Sequence, residues 1–410
     1  MSEKPTHAPL TQFPVVDDQL IVGGLTVGQL ADEIGQTPFY AYERDALSRR
    51  AHDLRESLPD GISIHYAVKA NPMPAVVDHM ATLVDGLDVA SVGEMRIALD
   101  SGVQAADISF AGPGKTDSEL RSAVAAGITL NLESEGELAR AVRIGEDIGV
   151  APRVAVRVNP DFELKASGMR MSGGPKPFGI DAERVPQLLK RIAGSGAYFR
   201  GFQIYSGSQN LSPESLVQAQ HATFALAYQL AAAAPSPPEM LNIGGGFGVP
   251  YFPGQERLEL EQINENLETR LAECHEHLGD VEVILELGRY LVAEAGVFVC
   301  EVVDKKVSRG VTYLITNGGL HHHLAASGNF GQLLRKNYPV VTAHRVNNEP
   351  RETVSVVGPL CTPLDVLADR MELGQADVGD LVCVLQSGAY GFTASPHLFL
   401  GHPAPLQRLV

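Results

Sequence analysis

The stretch His65-Tyr66-Ala67-Val68-Lys69-Ala70-Asn71-Pro72 places a lysine at the end of an apolar, β-prone run that begins at Ile62, and a turn signal follows the lysine at once. A buried strand that ends in this way places one amine, that of Lys69, at its carboxyl end. A desolvated ε-amine has a lowered pKa and can attack a carbonyl to form a Schiff base. The competing interpretation of Lys69 is an exposed side chain in a loop, and the rest of the chain has to decide between the two.

Eight β-prone runs alternate with amphipathic helical patterns between this stretch and Leu287. Eight such units predict an α/β fold, a (β/α)8 TIM-type barrel, in which the helix Asp45–Leu58 closes the ring. An open, doubly wound sheet is the alternative, although such sheets more often have fewer strands. The predicted strands are Ile62–Lys69, Leu87–Ser91, Ile108–Gly112, Thr129–Glu133, Val154–Asn159, Phe199–Ser206, Met240–Gly244 and Val281–Leu287.

The last part of the chain has a different character. Its β-prone runs are separated by Gly and Pro turns, and helical periodicity is scarce, which indicates a second, mostly β domain. The runs are Gly296–Asp304, Thr312–Thr316, Thr353–Val357 and Asp380–Val384. We therefore predict an N-terminal segment 1–40 that joins the β domain through a strand-like pair (Leu20–Val22 and Leu25–Val27), a barrel over 41–291, and a C-terminal β domain over 292–410.

Composition excludes several classes of function. The 410 residues carry a net charge of -17, which argues against nucleic acid, because phosphates need a basic surface. The polar start MSEKPTHAPL predicts neither a signal peptide nor a membrane anchor, and no run reaches the length of a spanning helix. The four cysteines show no CxxC spacing, which favours reduced thiols and a cytoplasmic protein.

Polar residues coincide with the ends of the predicted strands. Catalytic groups of TIM-type barrels lie at the carboxyl ends of the strands, so these residues are expected to share one rim. Scattered polar residues would not be expected to coincide in this way. The residues at or near the strand ends are Lys69, Asp88, Arg157, Asn159, Tyr205, Ser206, Gly207, Ser208, Gly244, Gly245, Gly246, Glu286 and Arg289.

The run Gly244-Gly245-Gly246 follows an apolar strand and can turn backbone N–H groups towards an anion. Ser208 could add a hydroxyl to the same anion and Arg289 a charge, which suggests a phosphate cradle near the last strands. A lysine and a phosphate cradle in one barrel mouth point to pyridoxal 5'-phosphate, and Glu286 could meet its ring nitrogen. The alternative for Glu286 is an ion pair with Arg289.

Two further charges, Asp88 and Arg157, lie within predicted strands. They could form a salt bridge beneath the cofactor ring, or they could serve only the structure of the barrel. The pattern does not separate these two roles.

In combination, the motifs resemble the fold-type III pyridoxal-phosphate decarboxylases, a group that includes the diaminopimelate and ornithine decarboxylases. The resemblance implies a barrel, a C-terminal β domain and a head-to-tail homodimer with active sites at the interface. The motifs are Tyr66-Ala67-Val68-Lys69-Ala70-Asn71, Asp88-Val89-Ala90-Ser91-Val92-Gly93-Glu94, Gly207-Ser208-Gln209, Gly244-Gly245-Gly246-Phe247, Glu286-Leu287-Gly288-Arg289, Gly358-Pro359-Leu360-Cys361 and Gly388-Ala389-Tyr390-Gly391.

The resemblance also implies roles for single residues. Lys69 would carry the cofactor and Glu286 would meet the pyridine nitrogen. Cys361 would reach the site of the partner subunit and help to protonate the reacting carbon; the pattern alone gives no such role, because a lone cysteine is usually a buried hydrophobe. The implied phosphate ligands are Ser208, Gly244, Gly245, Gly246, Arg289 and Tyr390.

The departures from the family concern the substrate. Tyr205 stands where the family usually has a histidine stacked on the cofactor, and an aromatic ring can still stack there. Thr362-Pro363 follows Cys361 where the family has a carboxylate for the distal amine, and Asp365 is the next carboxylate. Thr362 and Asp365 are therefore candidates for contact with the substrate. The arginine that binds the distal carboxylate in diaminopimelate decarboxylases is absent before Arg335. Free diaminopimelate, ornithine and lysine are therefore poor candidates.

The segment from His321 to Tyr338 resembles a subgroup associated with biosynthetic clusters. Some members decarboxylate an aminoacyl group held on a carrier protein, and others accompany bacterial exopolysaccharide (exosortase-type) systems. A tethered substrate has a neutral arm in place of a charged end, as other neutral substrates also would. His321, His322 and His323 are candidates for substrate contact or proton transfer. A metal site is disfavoured, because consecutive residues of an extended chain point to alternating faces.

Several alternatives stay open at this stage. One is a decarboxylase of a free amino acid such as diaminopimelate, ornithine or lysine. A racemase of the same architecture would place an arginine at the pyridine nitrogen, and Glu286 argues against it. A non-catalytic carrier of the cofactor is disfavoured by the retention of Lys69 and Cys361. A barrel lyase with a plain lysine Schiff base would use the cradle for a sugar phosphate.

Overall fold

The computed structural model describes residues 5–163, 168–170, 172–332 and 334–410. The chain divides into two compact units. One comprises Ala51–Val249 and Leu258–Gly288, and the other comprises the described residues up to Arg50, Pro250–Arg257 and Arg289–Val410.

The first unit is a closed barrel of eight parallel strands. Neighbours in sequence are neighbours in space, and the ring closes where the eighth strand pairs with the first, with Glu286 opposite His65. Pairing of the fourth strand with the fifth (Leu132 opposite Val156) makes the sheet continuous, so the TIM-type barrel is confirmed over the open sheet. The barrel strands, numbered here from first to eighth, are Ile62–Ala67, Gly86–Val89, Ile108–Phe110, Thr129–Leu132, Arg153–Asn159, Tyr198–Ile204, Met240–Gly245 and Glu282–Leu287.

Some helices of the barrel begin at side-chain caps that lie next to the carboxyl ends of the strands. Ser91 and Ser134 each accept a backbone N–H three residues later, and Thr116 forms a capping box with Glu119. These caps fix the loops that carry the polar rim. The helix Arg44–Ser57 precedes the first strand. The helices that follow it are Pro74–Met80, Val92–Asp100, Asp117–Ala126, Glu135–Ile148, Val185–Ala193, Pro213–Ala231 and Glu261–Leu278.

The second unit is built on an antiparallel and mixed sheet. Its central strand, Gly296–Ser308, pairs with Phe39–Tyr42, Leu381–Val384 and Val311–Thr316 along its length. The predicted β-prone runs are present as strands, and four more strands had no clear signal. Those four are Phe39–Tyr42, Val340–Thr342, Val366–Gly374 and Leu406–Leu409, and Arg351–Val357 completes the sheet.

Residues of the N-terminal segment contribute to the core of this second unit. A small sheet contains Val15–Val16, Gln19–Val22 and Leu25–Thr26. The predicted strand Leu25–Val27 ends one residue early, because Thr26 caps the helix Val27–Ile34. Leu20, Val22 and Leu30 pack in one cluster with Val297 and Val299 of the central strand.

Pro250–Arg257 groups with the β-rich unit, although the sequence placed it within the barrel. The cause is aromatic packing, since the Tyr251 ring lies 4.5 Å from the Tyr338 ring. None of the helices in the described ranges is both long and apolar enough to cross a bilayer.

A buried ion pair stabilises the barrel rim. Lys115, with 1% of its side chain exposed, donates from Nζ to Glu137 Oε1 at 2.7 Å and to the carbonyl oxygens of Gly112 and Asn131. All three protons of the ammonium group thus have acceptors. Burying two charges is tolerated only when both are paired and hydrogen-bonded.

Lys115→Met is therefore expected to lower the free energy of unfolding by about 3–5 kcal/mol, because it leaves the Glu137 carboxylate buried without its cation. Urea unfolding followed by circular dichroism measures the loss. Arg121→Met is the matched control, since it breaks an exposed pair with Asp147 and should cost less than about 1 kcal/mol. Similar small losses in both variants would contradict the assignment.

Candidate active site

Lys69 lies at the carboxyl-terminal mouth of the barrel. It sits in the 3-10 turn Val68–Ala70, which directly follows the first strand. Its Nζ lies 3.6 Å from Glu286 Oε1 of the eighth strand and 5.5 Å from the centre of the Tyr205 ring. The Lys69 side chain is 41% exposed and the Glu286 side chain 3%. An accessible amine therefore stands over a buried carboxylate.

Glu286 is held in one orientation by two amide side chains inside the barrel. Gln203 donates from Nε2 to Glu286 Oε2 at 2.7 Å, and Asn242 donates from Nδ2 to the same oxygen at 3.3 Å. Burial raises the pKa of Glu286, the Asp88 carboxylate raises it further, and Lys69 lowers it. A cation next to Oε1 therefore stabilises the ionised carboxylate.

Asp88 lies on the second strand and has two partners. Its Oδ1 accepts a hydrogen bond from the Ser109 hydroxyl, and its Oδ2 lies 3.7 Å from His65 Nδ1. Burial is the largest single influence on the pKa of His65 and lowers it, but the carboxylates of Asp88, Glu282 and Glu286 together raise the pKa above its ordinary value. His65 is thus the nearest basic group to Asp88 in the barrel.

The predicted salt bridge between Asp88 and Arg157 is wrong. Arg157 instead donates from NH1 to Glu133 Oε1 at 2.6 Å. Glu133 ends the adjacent fourth strand, and its carboxylate also accepts the backbone N–H groups of Gly112 and Gly179. Asp88 and Arg157 therefore each have a different partner on a neighbouring strand.

The glycine run after the seventh strand has a backbone that only glycine tolerates. Gly244 and Gly246 have φ values of 68° and 81°, in the left-handed region that favours glycine. A Cβ at Gly245 would collide with the carbonyl oxygen of Glu286. Ser208 lies in the nearby strand Gly207–Ser208. Neighbouring strands therefore approach Gly244 and Gly245 closely, and this approach requires glycine at both positions.

Arg289, in the β-rich unit, has surroundings that favour the binding of an anion. Its guanidinium lies 5.4 Å from the Tyr251 ring centre and 4.7 Å from the Tyr390 ring centre, and NH1 donates to the Tyr251 hydroxyl at 3.2 Å. Arg289 has no carboxylate partner among the described residues of its unit, and its buried Nε has no hydrogen-bond partner there. A partly buried guanidinium with no carboxylate partner among these residues favours an anion such as phosphate.

These features fit pyridoxal phosphate, judged separately in each unit. The barrel supplies an accessible amine for the aldehyde, a fixed carboxylate for the ring nitrogen and a glycine cradle. The β-rich unit supplies a guanidinium without a counter-ion between two tyrosine rings. The unsatisfied Nε of Arg289 is the observation that most directly calls for an anion.

The loop around Cys361 bears on the substrate. Cys361 is exposed and Thr362 half-buried. Asp365 is buried, and its carboxylate accepts the backbone N–H groups of Leu320 at 2.5 Å and Leu360 at 2.8 Å. Both carboxylate oxygens are therefore used in holding the loop, and the predicted contact between Asp365 and the substrate does not fit this arrangement.

The three histidines are buried inside the β-rich unit instead of lining a surface. His322 donates from Nε2 to the Pro403 carbonyl at 2.9 Å, and His323 Nε2 lies 2.9 Å from Ser387 Oγ. His321 has no hydrogen-bond partner for either ring nitrogen among the described residues. This burial argues against the predicted substrate contact. No group of three or more potential metal ligands is present in the described ranges.

Sequence reasoning missed several residues of the site. Gln203 and Asn242 position Glu286, His65 accompanies Asp88, and Tyr251 and Tyr338 support Arg289. A signal existed for the first three, because each is a polar residue within an apolar strand run, where an unpaired polar group is costly. The two tyrosines gave no such signal, since their role depends on packing between distant segments.

Comparison with known proteins agrees with this geometry. A family profile described as "Pyridoxal-dependent decarboxylase, pyridoxal binding domain" matches residues 44–293. The chain is 36% identical to "L-glutamyl-[BtrI acyl-carrier protein] decarboxylase" of Niallia circulans, over 91% of this chain and 89% of the relative. It is 32% identical to "2-[(L-alanin-3-ylcarbamoyl)methyl]-2-hydroxybutanedioate decarboxylase" of Staphylococcus aureus, over 89% and 92%.

A solved structure is similar along nearly the whole chain. The diaminopimelate decarboxylase of M. jannaschii, in co-complex with L-lysine, superposes with a TM-score of 0.87 at 25% identity and covers 98% of this chain and 93% of its own.

The buried histidines predict acid sensitivity. Burial lowers the pKa of His321 to about 3, of His322 to about 4 and of His323 to about 3. In an unfolded chain each ring binds a proton near pH 6.5. The unfolded state therefore binds more protons below that pH, and stability is lost as the pH falls from about 6.5.

His321→Leu is expected to reduce this pH dependence by about one proton per molecule between pH 6 and pH 5, as measured by urea unfolding across that range. Val307→Leu, at an exposed strand position, changes no titrating group, so it is the control and should leave the slope unchanged. An unchanged slope in His321→Leu would show that this ring does not stay neutral in the folded protein.

Proposed function

The chain belongs to the pyridoxal-dependent decarboxylase family, and from this premise we propose that it removes the α-carboxylate of an amino acid attached through its side chain to a carrier protein. Because the α-carboxylate is the group that leaves, the tether has to be at the other end of the amino acid. A glutamyl group linked through its γ-carbonyl is the simplest substrate of this kind.

Three predictions made from motifs are confirmed by the comparisons: the fold-type III decarboxylase family, pyridoxal phosphate as its cofactor, and amino-acid decarboxylation as its reaction. The roles of single residues in this chain are proposals. Lys69 would hold the cofactor covalently, and Glu286 would hold the proton on its ring nitrogen. The proposed phosphate ligands are Ser208 and the glycine run from Gly244 to Gly246 in the barrel unit, and Arg289 and Tyr390 in the β-rich unit.

The chemistry is divided between the cofactor and the protein. Pyridoxal phosphate, when bound, supplies an electron sink for the pair of electrons left behind when the bond to the carboxylate breaks. The Glu286 carboxylate, fixed by Gln203 and Asn242, stabilises positive charge at the base of the site. Tyr205 offers a ring face close to Lys69. Cys361 of the partner subunit would deliver a proton from Sγ to the α-carbon.

One observation carries the preference for a tethered substrate. Asp365 is the first carboxylate after Cys361, and both of its oxygens accept backbone N–H groups. Arg335, the first arginine after the histidine triplet, donates to the Val366 carbonyl. Neither residue is therefore set aside to bind the charged end of a free diamino acid. A site that selects by buried polar pairing needs such groups.

We further propose a cytoplasmic homodimer. All four cysteines are free thiols, as expected in a reducing compartment. Cys361 is exposed in one protomer, so a partner subunit could take it into its own site. A two-fold dimer would then hold two equivalent shared sites.

A panel assay of CO2 release tests the substrate. The protein loaded with cofactor is expected to act on glutamyl and other aminoacyl groups bound to a carrier protein, and at least tenfold less well on free diaminopimelate, ornithine or lysine. Lys69→Ala should abolish release of CO2, and it should also abolish covalent retention of the cofactor after borohydride reduction, measured by mass spectrometry. Lys190→Ala, an exposed helix position, is the matched control. Turnover of the free diamino acids alone would overturn the tethered substrate.

Mixing of two inactive variants tests the shared site. In a mixed dimer of Lys69→Ala and Cys361→Ala chains, one site receives both wild-type residues and the other receives neither. About half of the wild-type activity per dimer is expected if sites are shared across a two-fold axis. Native mass spectrometry verifies the mixed species. No recovery in a verified mixed dimer would show that each chain completes its own site.

A further inference from the structure

The turn that carries Tyr390 is held under backbone strain. Tyr390 has a φ of 54°, a left-handed conformation that is unfavourable for a residue with a side chain. The N–H groups of Ser387 and Gly388 donate to the carbonyl oxygens of Gly296 and Ala293, each at 2.9 Å. Such a conformation persists only where the surroundings determine it.

The His323 side chain forms a hydrogen bond to this turn within the same unit. The donors and acceptors around the ring determine which of its nitrogens carries the proton. The Ser387 hydroxyl has one proton, which it directs to the carbonyl oxygens of Val384 at 2.8 Å and Leu385 at 3.4 Å. Ser387 Oγ therefore accepts from His323 Nε2 at 2.9 Å. The other ring nitrogen of His323 accepts the Ala326 N–H at 3.2 Å. His323 is thus neutral, with its proton on Nε2.

His323 also contacts Tyr338, which packs against Tyr251, one of the two tyrosines whose rings flank the Arg289 guanidinium. Its ring lies 5.7 Å from the Tyr338 ring, which lies 4.5 Å from the Tyr251 ring. Tyr251 in turn contacts Arg289 through its ring and its hydroxyl. Tyr251 is thus linked to His323 through Tyr338, and Tyr390 follows Ser387, the acceptor of the His323 hydrogen bond, by three residues in the chain.

We propose that His323 is a positioning residue for phosphate binding: by donating to Ser387 and packing on Tyr338, it holds both tyrosine walls against Arg289 and so sets the affinity for the phosphate group of the cofactor. The inference rests on the proposed function, since it takes Arg289 and Tyr390 as the phosphate ligands. It gives one member of the histidine triplet a role in place of the substrate contact predicted from sequence.

The test compares two probes that differ only in the phosphate. The protein is freed of cofactor, and the dissociation constants of pyridoxal phosphate and of pyridoxal are measured for wild type, His323→Leu and His323→Gln. Loss of one buried hydrogen bond should weaken pyridoxal phosphate by about five- to tenfold in His323→Leu and leave pyridoxal within about twofold. His323→Gln keeps an amide donor and should recover most of the affinity.

Two further variants keep the outcome decisive. Ser387→Ala removes the hydroxyl that accepts the His323 hydrogen bond and changes the core little. It should therefore show the same selective loss of affinity for pyridoxal phosphate, and it serves as the test if His323→Leu does not fold. Thr342→Val removes another buried hydrogen bond of the same unit, to the Gly374 carbonyl at 2.7 Å, and should leave both dissociation constants unchanged. Equal weakening of both probes, or no weakening of either, would overturn the positioning role. Failure of the wild-type protein to bind pyridoxal phosphate at all would instead overturn the proposed function.

Discussion

The buried carboxylate of Glu286 is the constraint on which the barrel site depends. A carboxylate inside a ring of parallel strands has lost its water, and two amides and one ammonium group replace that water. The amides fix the orientation of Glu286 but leave its charge only partly offset. The remaining demand for positive charge is what the proposed contact with a protonated ring nitrogen would satisfy. The burial of the Glu286 carboxylate therefore underlies both the local hydrogen bonding and the proposed chemistry.

The β-rich unit contains a charged group of the opposite sign. Arg289 is a cation that pairs with no carboxylate among the described residues of that unit, and the rings of Tyr251 and Tyr390 flank it. The barrel unit thus holds an anionic group that favours a cation, and the β-rich unit holds a cationic group that favours an anion. His323 contacts Tyr338 and Ser387 in the β-rich unit, and these contacts are the basis of its proposed positioning role.

Charges that look alike in sequence have different roles in the fold. Asp88 and Arg157 both lie on strands of the rim, yet Asp88 pairs with His65 and Arg157 with Glu133. Asp365 stands close to the loop of Cys361, yet its carboxylate serves the backbone of that loop. In each case the nearest partner comes from a neighbouring strand or loop, at a sequence distance that no local pattern reveals.

The sequence by itself determined the barrel, the order of its strands and the rim that carries Lys69, Glu286 and the glycine run, because strand and helix periodicities are local and parallel strands place their carboxyl ends together. It also determined the family, through motifs that span both units. The pairing of charges, the supports of Glu286 by Gln203 and Asn242, and the burial of the histidines were decided only by the tertiary structure. Such contacts join residues far apart in the chain, and their energies depend on burial and distance, which a linear pattern does not contain.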